Sequence, residues 1–203
     1  MNDSTNPTLN ILIRTSNRPK GFKRLLDSIE KQSYKNINIF VSVDNEESLD
    51  YIPEDINTIF CIKSKDGNSQ HNLYLNHLLQ EVKEGFIIVI DDDDFVKNKT
   101  AIAKLMKSVE ENSLNICKMQ WPTKRVIPEP EYFTTPFIRK HIGMPCLIFH
   151  TNYKEKIKFD ANKAADFRTA NMLLNFVKPN FINEIVVHIG NTGLNGKSID
   201  IDD

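Results

Sequence analysis

The chain has 203 residues, 40% of them hydrophobic and 26% charged, with a net charge of −1. That suffices for one well-buried domain of ordinary composition, and the charge balance gives no electrostatic reason to expect nucleic acid or an anionic membrane surface. The opening "MNDSTNPTLN" lacks the basic-then-apolar layout of a secretion signal, and no apolar run approaches the ~20 residues that span a bilayer.

Taken in order, Leu9–Thr15 ("LNILIRT") reads as a strand, and Pro19 suits the first turn of the helix that follows. On that helix Phe22, Leu25, Leu26 and Ile29 fall on the i, i+3, i+4, i+7 stripe. Ile37–Val43 is nearly all apolar, as a strand covered on both faces should be, and 57–62 is a third strand. Leu73, Leu75, Leu78, Leu79 and Val82 predict a helix that Gly85 closes before the strand "FIIVI", 86–90. Residues 101–109 are again helical, with Ile102, Leu105, Met106 and Val109 on one face. Beyond them, Trp121 and prolines 122, 128, 130, 136 and 145 disfavour long helices across 121–145. A strand at 146–150, a helix over 161–176 and a last strand over 180–190 complete the reading. Strands alternating with helices predict an α/β domain with a mostly parallel sheet flanked by helices. The tail 191–203 has little apolar content and is expected to be mobile. Cys61, Cys117 and Cys146 lie in or beside apolar segments without zinc-ligand spacing, so buried free thiols in a reducing, cytoplasmic compartment are expected.

Four consecutive aspartates, Asp91–Asp94, follow the apolar run "FIIVI". An acidic run can be a solvated turn. In a parallel sheet, however, ligands bind beyond the carboxyl ends of the strands, where strand order reverses. Thr15–Arg18, Asp44 and Asp91–Asp94 all follow strands and meet at that rim. Carboxylates crowded there suit a hard divalent cation with oxygen ligands, which can bridge to a phosphate that bare aspartates would repel.

The segment "RTSNRPKGFKRLLDSIEKQSYKNINIFVSVDNEES", followed by "VIDDDDF", resembles the opening of the family 2 glycosyltransferases with the GT-A fold. That opening reads P-T-Y-N-R-P, a helix ending near S-I-x-x-Q-T-Y, a strand ending in D-D-G-S, and then D-x-D-D. The resemblance implies one GT-A domain, with a donor-binding half at about 1–100 and an acceptor-side half at about 101–190. It also implies transfer of a sugar from a nucleotide-diphosphate sugar, with UDP favoured, to a hydroxyl of a glycan or other acceptor, with inversion. Mn2+ or Mg2+ would be the cofactor. Thr15, Asn17 and Arg18 match the first motif, while Arg14 stands at its proline and Ser16 at its aromatic. Asp44 matches the acid that contacts the base, although Asn45-Glu46-Glu47 replaces the usual continuation. Asp66–Asn72, "DGNSQHN", resembles N-x-G-x-x-x-A-R-N without its arginine. Asp91 would face the ribose beside Asp92, and Asp93 would hold the metal. Gly143 in "HIGMP" is the acceptor-loop candidate. Asp166 in "AADF" would be the catalytic base, with Ala165 where the family has Glu and Asp160 in reserve. His188 would join Asp93 on the metal. Arg168 or His150 would orient the acceptor in place of that Glu.

Two other readings stay open. A module with this fold can bind nucleotide-sugars without turning them over. "DDDFV" also fits D-x-D-x-[TV], the nucleophile motif of haloacid-dehalogenase-type phosphatases, although the acidic pair that such enzymes need later is found only at Asp202-Asp203.

Overall fold

The structure is a computed structural model and describes residues 6–63, 67–133, 137 and 139–190. Asp66, expected to bind the donor, and the tail 191–203 lie outside the described residues.

Strand β1 (Leu9–Thr15) leads into α1 (Pro19–Glu30), which buries Phe22, Leu25, Leu26 and Ile29 as its periodicity predicts. The turn between them requires one left-handed residue, and Asn17 supplies it at φ 54°, a conformation asparagine tolerates better than most side chains. Pro19 then opens the helix with its φ preset and no N–H to leave unpaired. β2 (Ile37–Val43) and β3 (Asn57–Phe60) extend the sheet to one side of β1. After α2 (Tyr74–Glu81) the chain crosses back, and β4 (Phe86–Val89) lies on the other side. The pairings β1–β2, β2–β3 and β1–β4 are all parallel. Strand order therefore reverses between β1 and β4, which makes their carboxyl ends the place for a ligand.

The second half continues differently. Beyond the aspartates come β5 (Phe95–Val96), α3 (Ala101–Met106), β6 (Ser113–Gln120) and the short β7 (Val126–Ile127). They are followed by β8 (Leu147–His150), α4 (Ala165–Leu174) and β9 (Lys178–His188). The sheet runs β3-β2-β1-β4-β8-β6-β9-β5, with β7 on β6. β8 is antiparallel to β4 and β6, and β5 is antiparallel to β9, while β6 and β9 are parallel. The parallel character predicted for the sheet thus holds in the first half and becomes mixed in the second.

Pattern reading leaves out the two-residue β5 and β7 and, more consequentially, the eight-residue β6. Ser113, Asn115, Lys118 and Gln120 interrupt its apolar run. Asn115 is fully buried but satisfied: its Nδ2 donates to Glu110 O at 2.9 Å, and its Oδ1 accepts from the Glu110 N–H and from Asn180 Nδ2, both at 2.8 Å. Asn180 is 65 residues away, so nothing local marks the position as interior. One continuous hydrophobic core joins the two halves into a single α/β domain. α1 packs against β5, α2 against β1 and β2, α3 against β9, and α4 against β6. Among the described residues no helix is long and apolar enough to cross a membrane.

Candidate active site

The aspartates form a turn, in which the Asp94 N–H donates to Asp91 O at 3.0 Å, and their side chains divide between the rim and the interior. Asp91 and Asp93 are partly exposed, whereas Asp92 and Asp94 are each 2% exposed. Asp91 forms an ion pair with Arg14, the next-to-last residue of β1. Asp92 accepts from Arg18 Nη1 at 2.8 Å, and the same nitrogen lies 3.7 Å from Asp93. Asp94 Oδ1 accepts the Gly190 N–H at 2.9 Å, which fastens the end of β9 to the acidic loop. A Cβ on Gly190 would stand 1.7 Å from Asp93 O, so only glycine permits that approach. α1 presses on the loop from elsewhere, a Cβ on Gly21 coming to 3.0 Å from Asp92 O.

Those surroundings separate the four carboxyls chemically. Burial pushes Asp94 well above the usual carboxylate range, and the charge on Asp91 adds to the effect. Burial raises Asp92 to about 6 against the pull of Arg18. Asp93 is raised as well, by burial and then by Asp91. Asp91 goes the other way: burial alone would lift it, but the Arg14 guanidinium holds it below the ordinary value. Asp92, expected among the donor-binding residues, turns inward and spends its contact on Arg18.

The rim of β1 and β2 is equally preset. Thr15 is buried, and its Oγ1 lies 2.7 Å from Tyr51 Oη. The Asn17 N–H donates to Ser48 Oγ at 2.9 Å, and Asn17 Nδ2 donates to Glu47 at 3.3 Å. Asp44 Oδ1 accepts from Ser16 Oγ at 2.7 Å and from Asn45 Nδ2 at 3.0 Å, and Oδ2 accepts from Tyr74 Oη at 3.2 Å. Burial alone would raise the Asp44 carboxyl, but these bonds and the Lys63 ammonium hold it below its ordinary value. Ser16, at the position where the resemblance has an aromatic, thus serves Asp44. Asn72 is buried, accepts from Arg14 Nη1 at 2.8 Å, and donates through Nδ2 to Asn162 O at 2.9 Å. The Ser69 N–H makes a second tie, to Ala161 O at 2.9 Å.

Through those ties the rim holds the loop that leads into α4. The predicted helix over 161–176 begins only at Ala165, which places Asp166 in its first turn, where the helix dipole favours an anion. Its Oδ1 accepts the Phe167 N–H at 2.7 Å, and burial pushes the carboxyl above its usual value. Asp160 is partly exposed and is taken up by Arg168 Nη2 at 2.6 Å. His150, considered as an acceptor-orienting residue, is corrected by topology. It pairs with Phe86 at the amino end of β4, the opposite end from the aspartates.

His188 ends β9 opposite Phe95 of β5, the residue directly after the acidic run. Its Nε2 is buried and has no hydrogen-bond partner among the described residues. Burial lowers the imidazole below its ordinary value, so it is neutral at physiological pH. Asp93, Arg18 and His188 line one cleft of about 870 Å³, with Trp121 across it. Among the described residues no cluster of three His, Cys, Asp or Glu side chains is arranged to hold a metal without further ligands. Arg14, Ser48, Tyr51 and Tyr74 are the site residues for which sequence reading assigned no role. An arginine at the end of an otherwise apolar strand was the one available signal, because the other three act through partners distant in sequence.

An α/β domain whose acidic loop sits at the switch point of its parallel strands has the GT-A architecture of the nucleotide-sugar glycosyltransferases. The chain belongs to glycosyl transferase family 2, whose profile matches residues 10–178. No curated protein sequence matches it. Among solved structures, S. aureus TarS 1-349 in complex with UDP-GlcNAc is 17% identical with a TM-score of 0.68, over 96% of this chain and 62% of that one. The mannosyltransferase PcManGT from Pyrobaculum calidifontis, in complex with GDP-Man and Mn2+, is 13% identical with a TM-score of 0.68, over 94% and 59%. A further structure of S. aureus TarS is 17% identical with a TM-score of 0.65, over 90% of this chain and 36% of that one. The chain thus spans 36% to 62% of the length of these structures, and the likeness is one of fold.

Proposed function

We propose that the domain moves a sugar from a nucleotide-diphosphate sugar to an acceptor hydroxyl, with a divalent cation and with inversion, and that a UDP-sugar is the donor. The observation that carries this reading is the division of Asp91–Asp94 at the switch point of a family 2 domain. Two carboxylates brace the loop from inside while Asp91 and Asp93 face outward. Asp44 contacts the base, Asp91 the ribose, and Thr15, Asn17 and Arg18 close the rim. Asp66 belongs to the same proposed donor set.

Asp93 and His188 fit a divalent ion. A neutral imidazole whose buried Nε2 has no partner among the described residues lines the same cleft as an outward carboxylate, and Mn2+ accepts both ligand types. Donor oxygens and water would complete the coordination, consistent with two protein ligands among the described residues. Asp93 and His188 would hold such an ion, which would supply positive charge against the departing diphosphate. Asp166 takes the proton from the acceptor hydroxyl, and its raised proton affinity suits a general base. Gly143 lies on the acceptor side. The three free, buried cysteines support a cytoplasmic setting.

Thermal shifts with UDP, GDP, dTDP and CMP, each with and without Mn2+, test the reading. A diphosphate at about 100 times its dissociation constant adds ~2.7 kcal/mol of stability. A shift that needs the diphosphate and grows with Mn2+ is the expected result. No shift with any nucleotide contradicts it.

A further inference from the structure

Arg14 is the one charged residue in β1, and its side chain is only 12% exposed. A guanidinium so placed loses hydration and needs acceptors in return. It has two: Asn72 Oδ1 at 2.8 Å through Nη1, and Asp91 through Nη2. The register explains the second. β1 and β4 pair Leu12 with Val89, so continuing by two residues sets Arg14 beside Asp91.

Two departures from the family pattern meet here. Arginine replaces proline at position 14, and His71 stands before Asn72 where the pattern has arginine. The guanidinium that arrives from β1 bonds that same Asn72. Arg14, Asp91, Arg18 and Asp44 are all electrostatic neighbours of His71, so the charges of the rim converge on this spot. The arginine fork carries five N–H donors, more than its two acceptors require, in a geometry that suits phosphate oxygens.

We propose that Arg14 is a donor-binding residue whose guanidinium, anchored on Asn72 and Asp91, takes a phosphate oxygen of the nucleoside diphosphate. Part of the binding then needs no metal. The inference rests on the donor-site reading above, and the experiment separates the two. UDP and uridine are titrated into the full chain, in EDTA and in Mn2+, for wild type, Arg14→Gln and Arg14→Lys. Wild type binds UDP measurably in EDTA. Arg14→Gln loses roughly 10–100-fold of that metal-free affinity, the usual worth of a charge-assisted hydrogen bond, and keeps its uridine affinity. Arg14→Lys keeps the charge without the fork and falls between them, which preserves the test if the glutamine variant does not fold. Equal losses for UDP and uridine reduce Arg14 to a pin for the rim and overturn the inference. So does UDP binding that is absent in EDTA, or that is unchanged in both variants. If wild type fails to bind UDP in either buffer, the UDP-donor reading falls and the inference falls with it.

Discussion

The rim at the carboxyl ends of the parallel strands and the region around α4 and the end of β9 treat their charges in opposite ways. At the ends of β1, β2 and β4 the acids are answered from within the chain: Asp91 by Arg14, Asp92 by Arg18, and Asp44 by Ser16, Asn45 and Tyr74. Around α4 and the end of β9 the polar groups are left with less. Asp166 has a backbone N–H and only the longer-range pull of Arg168 and Arg139, and His188 Nε2 has no partner among the described residues. A surface whose charges are already fixed binds a ligand without reorganising, which suits recognition of a charged donor. Groups held with spare proton or ligand capacity suit chemistry. Asp93 lies where the two regions meet, within reach of Arg18 from one and sharing a cleft with His188 from the other.

The largest effect that sharpens this contrast is expected at Asp166. Asp166→Asn keeps the shape and removes the base, so transfer should fall by roughly 10²–10⁴ while nucleotide and metal affinities stay near wild type. Lost donor binding in this variant would erase the division between the regions. Transfer at the wild-type rate would move the base elsewhere. A product that keeps the donor's anomeric configuration would exclude inversion.

A smaller effect is expected from the inward acids. The fold raises the Asp92 carboxyl from 3.8 to about 6, so it favours the protonated form. The stability this contributes is present below pH ~4 and is lost as pH rises through about 6. Asp92→Asn removes that dependence. Relative to wild type, it should gain about 2 kcal/mol between pH 4.5 and 7.5, read from denaturant melts at the two pH values. Parallel stability curves would mean that Asp92 ionises in the fold as freely as in water.

The two regions were also unequally legible. In the first, period and turn chemistry agree: the β1 and β2 bounds and the buried face of α1 follow from apolar spacing, Asn17 and Pro19. The aspartates announced a rim because four like charges after a buried strand have no local reason to be there. What the residues did not announce is which of the four face in, since that depends on Gly190 and α1 arriving from far away in sequence. In the second region β6 stayed hidden because Asn115 is satisfied by Glu110 and by Asn180 of β9, so a polar residue sits where pattern reading expects an apolar one. His188 was placed by resemblance, and only the structure shows its unpartnered nitrogen.

The central claim is that the aspartate run divides into acids that hold the ligand and acids that hold the fold. Isothermal titration of UDP in Mn2+ into wild type, Asp93→Asn and Asp94→Asn tests it most directly. In Asp94→Asn the new side-chain amide oxygen can still accept the Gly190 N–H, so this variant should bind as wild type does. Asp93→Asn should lose Mn2+-dependent binding while melting as a folded protein. Equal binding by all three, or a loss confined to Asp94→Asn, would contradict the account.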